Sequence, residues 1–158
     1  MVEKIIEGLR ITGKIRLTLT DVNTGEVEIS EWISNIIPLC GRAATARRLI
    51  NKGAKPSESI ITYGAVGKGT TTPANSNTKL GAEIERKAIA STSQADNIIT
   101  IRTFFTTSEA NGVLKEFGLF GEEATASADT GTLFERVSID RTKTSAKTLL
   151  IESVITIS

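Results

Sequence analysis

The chain has 158 residues, 39% hydrophobic, 23% charged and 4% aromatic, with a net charge of +1 from 19 basic and 18 acidic side chains. It has no histidine and one cysteine, Cys40, so a Ser-His-Asp or Cys-His centre, a Cys/His zinc site, an intrachain disulfide and a Cys-x-x-Cys redox pair cannot be built from this chain alone. The balanced charge lacks the basic footprint of a nucleic-acid binder, and no apolar run reaches the roughly 18 residues of a membrane span. One domain is expected at this length.

Residues 1–10 form an N-terminal arm in which Val2, Ile5, Ile6 and Leu9 are apolar and need a partner surface. The arm also carries Glu3 and Glu7 and has no long apolar centre, so no signal peptide is expected and synthesis in a reducing cytoplasm is predicted. From Ile15 to Thr20, apolar Ile15, Leu17 and Leu19 alternate with Arg16, Thr18 and Thr20, the period of a half-buried strand. Asp21–Gly25 supplies turn residues, and Val27, Ile29 and the stretch Glu31–Ile33 make the return strand of a hairpin. Leu39, Ala43, Ala46 and Ile50 then recur at helical spacing, predicting one α-helix over about 37–51. Asn35 is its expected cap, Pro38 suits its first turn and Gly53 its stop. Arg42, Arg47 and Arg48 fall off that apolar stripe and are expected to face solvent or a neighbour.

After Pro56 the pattern turns to β. Candidate strands are 59–66, 83–92, 97–107, 113–120, 132–139 and 147–157, dominated by the chain's 22 Thr and 20 Ile, whose β-branched side chains suit a pleated surface. The predicted fold is a mainly β, antiparallel sandwich over 57–158, preceded by the hairpin and helix of 11–53. Two polar loops, 67–79 and 121–131, interrupt it, and Asn111-Gly112 marks a tight turn.

Several residues invite a chemical reading. Gly64-Ala-Val-Gly-Lys-Gly-Thr70 follows a strand and contains Gly-Lys, but its glycine spacing is wrong for a phosphate loop and Pro73 interrupts any following helix, so a flexible strand exit is expected. Cys40 reads as a buried small apolar residue. The pairs Glu83/Glu85 and Glu122/Glu123 have no EF-hand spacing and are expected on solvated faces. Trp32 and Tyr63 are too few and too far apart for a base-stacking or sugar-binding strip, and are assigned to the hairpin and core. Glu116 is different. It lies on one predicted strand face with Leu114, Gly118 and Phe120, as Arg136 does with Phe134, and a charge there is costly unless paired. Glu116 is therefore expected to pair with Arg136 or Arg86. Without histidine, the chain's contacts should be insensitive to mild acidification unless a buried carboxyl is shifted, with Glu116 the first suspect.

From Tyr63 onward an ordered series of motifs resembles the N-terminal, particle-attaching domain of phage tail-collar and tail-fibre proteins. It runs Ala65-Val-Gly-Lys-Gly69, Thr70-Thr-Thr-Pro-Ala74, Thr78-Lys-Leu80, Glu83-Ile-Glu-Arg86, Ala110-Asn-Gly112, Lys115-Glu-Phe-Gly-Leu-Phe120 and Gly131-Thr-Leu-Phe-Glu-Arg136. The resemblance implies a non-enzymatic virion structural protein, with no cofactor or metal, that assembles with itself, often as a trimer, and with other virion proteins. It also implies that Gly67, Gly69, Leu80, Glu83, Arg86, Glu116, Gly118, Leu119, Phe120 and Arg136 are framework residues of the fold rather than an active site. Tail fibres continue into a shaft and a receptor-binding tip, whereas this chain stops at its last strand and carries its own hairpin and helix. The expectation is therefore an adaptor of the tail or baseplate, or else a decoration protein on the capsid exterior. A carbohydrate-binding module is the more distant alternative.

Overall fold

The computed structural model describes residues 8–53 and 59–158. The alternation in Ile11–Asp21 folds as strand β1, and Val27–Ile29 (β2) and Ile33–Ser34 (β3) both return antiparallel to it. Between β2 and β3 the Ser30 hydroxyl accepts from the Leu17 amide at 2.9 Å, bridging the gap in the ladder. In the turn, one carboxylate oxygen of Asp21 accepts from the Asn23 and Thr24 amides, and Gly25 takes a positive φ of 74°.

The remaining strands are β4 (Tyr63–Gly67), β5 (Glu83–Ala88), β6 (Ser91–Ala95), β7 (Ile98–Phe105), β8 (Gly112–Gly121), β9 (Thr132–Lys143) and β10 (Lys147–Ile157). One sheet has the order β2-β1-β10-β7-β6, with β3 also on β1; the other has the order β5-β4-β8-β9. All pairings between these strands are antiparallel. Leu17, Ile101, Leu149 and Ile151 of the first sheet meet Val66, Phe117, Leu119 and Val137 of the second in one core, so the molecule is an antiparallel β-sandwich with one helix. Each fully buried aliphatic or aromatic side chain there stabilises the fold by about 1.5–3 kcal/mol.

Several elements depart from their sequence-based outline. The expected strand 83–92 divides into β5 and β6, which belong to different sheets. The crossover is fixed by two hydrogen bonds: the Ile89 amide donates to the carbonyl of Thr62, just before β4 of the second sheet, and the Ala90 amide to that of Arg102 in the first. The strand expected over 59–66 begins only at Tyr63. The last strand, by contrast, matches its expected bounds.

The helix α1 spans Leu39–Leu49, shorter than expected. Pro38 occupies its N-cap position without a side-chain hydrogen bond, while Asn35 turns into the interior to bond Glu135. Its orientation is also reversed. The helix buries Gly41 and Ala44 against β9, and Leu39 and Ile50 of the predicted apolar stripe are 61% and 69% exposed. Close backbone contact decides this: a Cβ at Gly41 would strike the carbonyl of Phe134, so the small residues, not the large ones, must face the sheet.

Candidate functional site

The charged residues singled out by sequence gather on the face of the second sheet turned away from the core. The β8–β9 register shifts between Leu114 and Glu116, and Leu114 points inward with Phe117 and Leu119. A second irregularity, opposite Phe134, turns that ring into the same core. Glu116 keeps the face expected with Gly118 and Phe120 but not with Leu114, and Arg136 does not share that of Phe134; both charges point outward, on neighbouring strands, beneath residues 68–82.

Glu116 and Arg136 are 1% and 2% exposed at their side chains and pair at 2.8 Å. One oxygen of Glu116 accepts from the backbone N–H of Gly69 (2.8 Å) and Ala82 (2.7 Å), the other from Gly81 (2.8 Å) and from Arg136. Burial pushes this carboxyl up, but the Gly81, Ala82 and Gly69 amides and the Arg136 guanidinium outweigh it and hold the pKa below the ordinary value. Arg136 then reaches Asn77 Oδ1 at 2.7 Å and the Thr71 carbonyl and hydroxyl at 3.1 and 3.0 Å. A side chain at Gly67 or Gly69 would collide with the Glu116 carboxylate, which is why this approach needs glycine. Of the stretch read as a flexible strand exit, residues 64–67 belong to β4 and Gly69 is tied to Glu116, while the loop beyond is held at Thr71 and Asn77 by Arg136 and at Gly81 and Ala82 by Glu116. No helix follows it, as the phosphate-loop pattern would require.

Arg86 takes a different partner from Glu116. It pairs with Glu83, both side chains 2% exposed, and its Nη1 donates to the carbonyls of Thr125 and Thr130 at 3.0 and 3.1 Å. Its guanidinium lies 4.5 Å from the centre of the Phe120 ring, with Tyr63 beyond. Glu83 also accepts from the Asp129 amide at 3.2 Å. This second pair fixes residues 122–131 as the first fixes 68–82. Glu83 and Glu122 therefore correct the expectation of solvated faces. Glu122 is buried, accepts from Arg47 and from the Thr132 hydroxyl, and has its pKa lowered first by the Arg47 hydrogen bond.

Leu80, Phe120, Leu133 and Ala65 form a small apolar cluster between these latches. Gly118 keeps the sheet surface open for it, since a Cβ there would sit 3.0 Å from Leu80 and 2.9 Å from the Glu135 carbonyl. Leu119 lies on the opposite face, in the main core. Cys40 packs against the small cluster, half-buried, and its thiol donates to the Asn77 and Leu133 carbonyls, with burial pushing its pKa up. Trp32 lies on the surface rather than in the core, with Lys14 and Arg16 at 4.7 and 4.6 Å from its ring. Val2, Ile5 and Ile6 lie outside the described residues, and Leu9 is 69% exposed.

The sequence reading missed Glu135. This carboxyl sits between the sheets at 0% exposure, accepting from the Ser153 hydroxyl at 2.6 Å and from the Asn35 amide. Burial raises its pKa to about 7, the two hydrogen bonds opposing the shift. The buried Oδ1 of Asn35 lacks a donor, and a protonated Glu135 supplies one once the amide turns over. The available signal was Glu135 alternating with Val137 and Ile139, a carboxyl on a core-facing period.

Among the described residues no three His, Cys, Asp or Glu gather as metal ligands, and no helix is long and apolar enough to cross a membrane. Comparison with known proteins finds no family model, no curated protein and no solved structure that matches the chain. What the site can do chemically is hold shape: two buried ion pairs turn two long loops into fixed surfaces.

Proposed function

We propose that this chain is a non-enzymatic structural protein of a tailed-phage virion, acting as an oligomeric attachment or adaptor component of the tail or baseplate. The observation that carries the reading is the convergence of its motif residues. Gly67, Gly69, Leu80, Glu83, Arg86, Glu116, Gly118, Phe120 and Arg136, through which the chain resembles phage attachment domains, pack around one sheet face and its two loops. Their chemistry is that of a framework. They are buried, mutually satisfied and directed at loop backbone, so they supply rigidity to surfaces that meet partners by shape complementarity. The partners are further copies of the chain and other virion proteins, without nucleic acid.

The test is to purify particles encoding this chain, count its copies by mass spectrometry and place it by imaging. A handful to tens of copies at the tail or baseplate is the expected result. Hundreds of copies over the shell would replace the adaptor with a capsid cement protein, and absence from the particle would overturn both.

A further inference from the structure

At one end of the sandwich the two sheets do not close on each other. A cavity of about 470 Å³ opens there, lined by Ile60, Ile61, Ile99, Ile101, Phe134 and Ile155, with Thr92, Ser93 and Gln94 of β6 at its rim. An opening of this size is within the roughly 300–1,000 Å³ range of binding pockets, and its lining is mainly apolar and rich in isoleucine. β6 is exposed along its length and is the outer strand of its sheet.

Ile11, the first residue of β1, also lines this cavity. The arm therefore departs from the cavity's own wall. At its departure point the backbone is tied into the last rung of the sheet, where the Ser158 amide donates to the Arg10 carbonyl at 2.8 Å. Leu9, on the same strand face as Ile11, would be the first arm side chain to enter if the chain folded straight back, yet it is 69% exposed. Leu9, at the described end of the arm, thus stands clear of the cavity. Its Val2, Ile5, Ile6 and Leu9 recur at i, i+3, i+4 and i+7, the pattern of an amphipathic segment that needs an apolar surface. Residues 1–7 span at most about 25 Å when extended, enough to reach a neighbouring molecule.

We propose that this cavity receives the N-terminal arm of a second copy of the chain, with Val2, Ile5 and Ile6 filling the isoleucine-lined space. The inference rests on the homo-oligomeric part of the reading above and does not require a virion. Reciprocal or cyclic exchange of arms would bury both the arm's apolar residues and the end of the core that the described residues leave open.

The test uses two populations of the full chain, each with Cys40→Ala, one also carrying Ile5→Cys and the other Thr92→Cys. Mixed and oxidised, they should form a covalent heterodimer identified by mass, and deletion of residues 1–7 should reduce the oligomer to a monomer with an unchanged circular dichroism spectrum. Four results would overturn the inference. If a chain carrying both cysteines closes on itself and the mixed populations do not link, the arm occupies its own cavity. If the oligomer survives the deletion, or survives Ile5→Asp, assembly uses another surface and the oligomeric reading stands without this one. If an arm-dependent oligomer yields no Ile5–Thr92 link, the arm docks elsewhere than this cavity. If the full chain is monomeric at all concentrations, both fail.

Discussion

The Ser153 hydroxyl, on β10, donates across the interior to Glu135 on β9 at 2.6 Å, a side-chain hydrogen bond joining the two sheets of the sandwich. The Asn35 amide completes the link from the segment between β3 and α1. The carboxyl at its centre has no cationic partner among the described residues, and its causes of shift include no charge. An interior of this kind suits the neutral acid.

Stability should therefore fall as pH rises from 4.5 to about 7. Glu135 has its pKa raised in the fold, so its contribution is fully present below the unfolded value of 4.5, is lost as pH climbs to about 7, and changes no further above that. The size is about 3 kcal/mol over that window. Glu116, Glu122 and Glu152, whose pKa values are lowered, act oppositely and only on the acid side of 4.5. Urea unfolding across the range measures the slope, and Glu135→Gln should flatten it. Mild acidification is thus expected to act through Glu135, in place of the Glu116 that alternation singled out.

Removing one member of the Glu116–Arg136 pair leaves the other charge buried without its partner, at a cost of about 3–5 kcal/mol. Glu116→Gln should also speed hydrogen exchange at the Gly69, Gly81 and Ala82 amides, which donate to the carboxylate. Combining Glu116→Gln with Arg136→Met should cost less than the sum of the two single changes. Strict additivity would mean that the pair is not coupled.

Arg86→Lys keeps the charge but cannot reproduce the forked contacts to Glu83 and to the carbonyls of Thr125 and Thr130. Limited proteolysis should then cut within 124–130 at protease levels that leave the wild-type chain whole, while residues 68–82 stay protected by their own latch.

Helix α1 offers a test of its reversed orientation. Substituting the exposed stripe, as in Ile50→Gln, should change the stability of the isolated chain by no more than about 0.5 kcal/mol. Gly41→Ala, which adds only a methyl group, should cost about 1–3 kcal/mol because it forces the helix off the Phe134 backbone. Chemical denaturation of the two variants separates these expectations. The opposite ranking would place the apolar stripe against the sheet.

Cys40 should alkylate several-fold more slowly in the native chain than in the unfolded one, because its thiol is half-buried, donates to two carbonyls and has its pKa raised. Timed labelling with and without denaturant, read by mass, gives the ratio.

The sandwich class was legible because period two survives wherever one strand face is core. β1 and β10 show it along most of their length, and the Asp21–Gly25 turn needs only local chemistry. Glu116 was legible too, as a charge too isolated among apolar neighbours to stand alone. Its partner was not, because Arg86 and Arg136 are equivalent in sequence and differ only in where the strands place them. The register shifts of the β8–β9 ladder escaped notice for a related reason: such a shift resets every face beyond it without disturbing composition. Glu83–Thr92 read as one strand because the change of sheet at Ile89 is written in hydrogen bonds to Thr62 and Arg102, both distant in the chain.

The absence of histidine and the presence of a single cysteine narrowed the chemistry before any fold was drawn, and the wealth of Thr and Ile made the chain sheet surface, since both are properties of side chains taken one at a time. Which carboxyl is charged, which loop is latched and which face of the helix is covered are properties of pairs and of burial. Glu116 and Glu135 belong to the same residue type on neighbouring strands, yet one is held ionised by three backbone amides and a guanidinium while the other is left to a hydroxyl and an amide in a dry interior. Only the tertiary structure sets the local solvation and the partners, so only it could tell them apart.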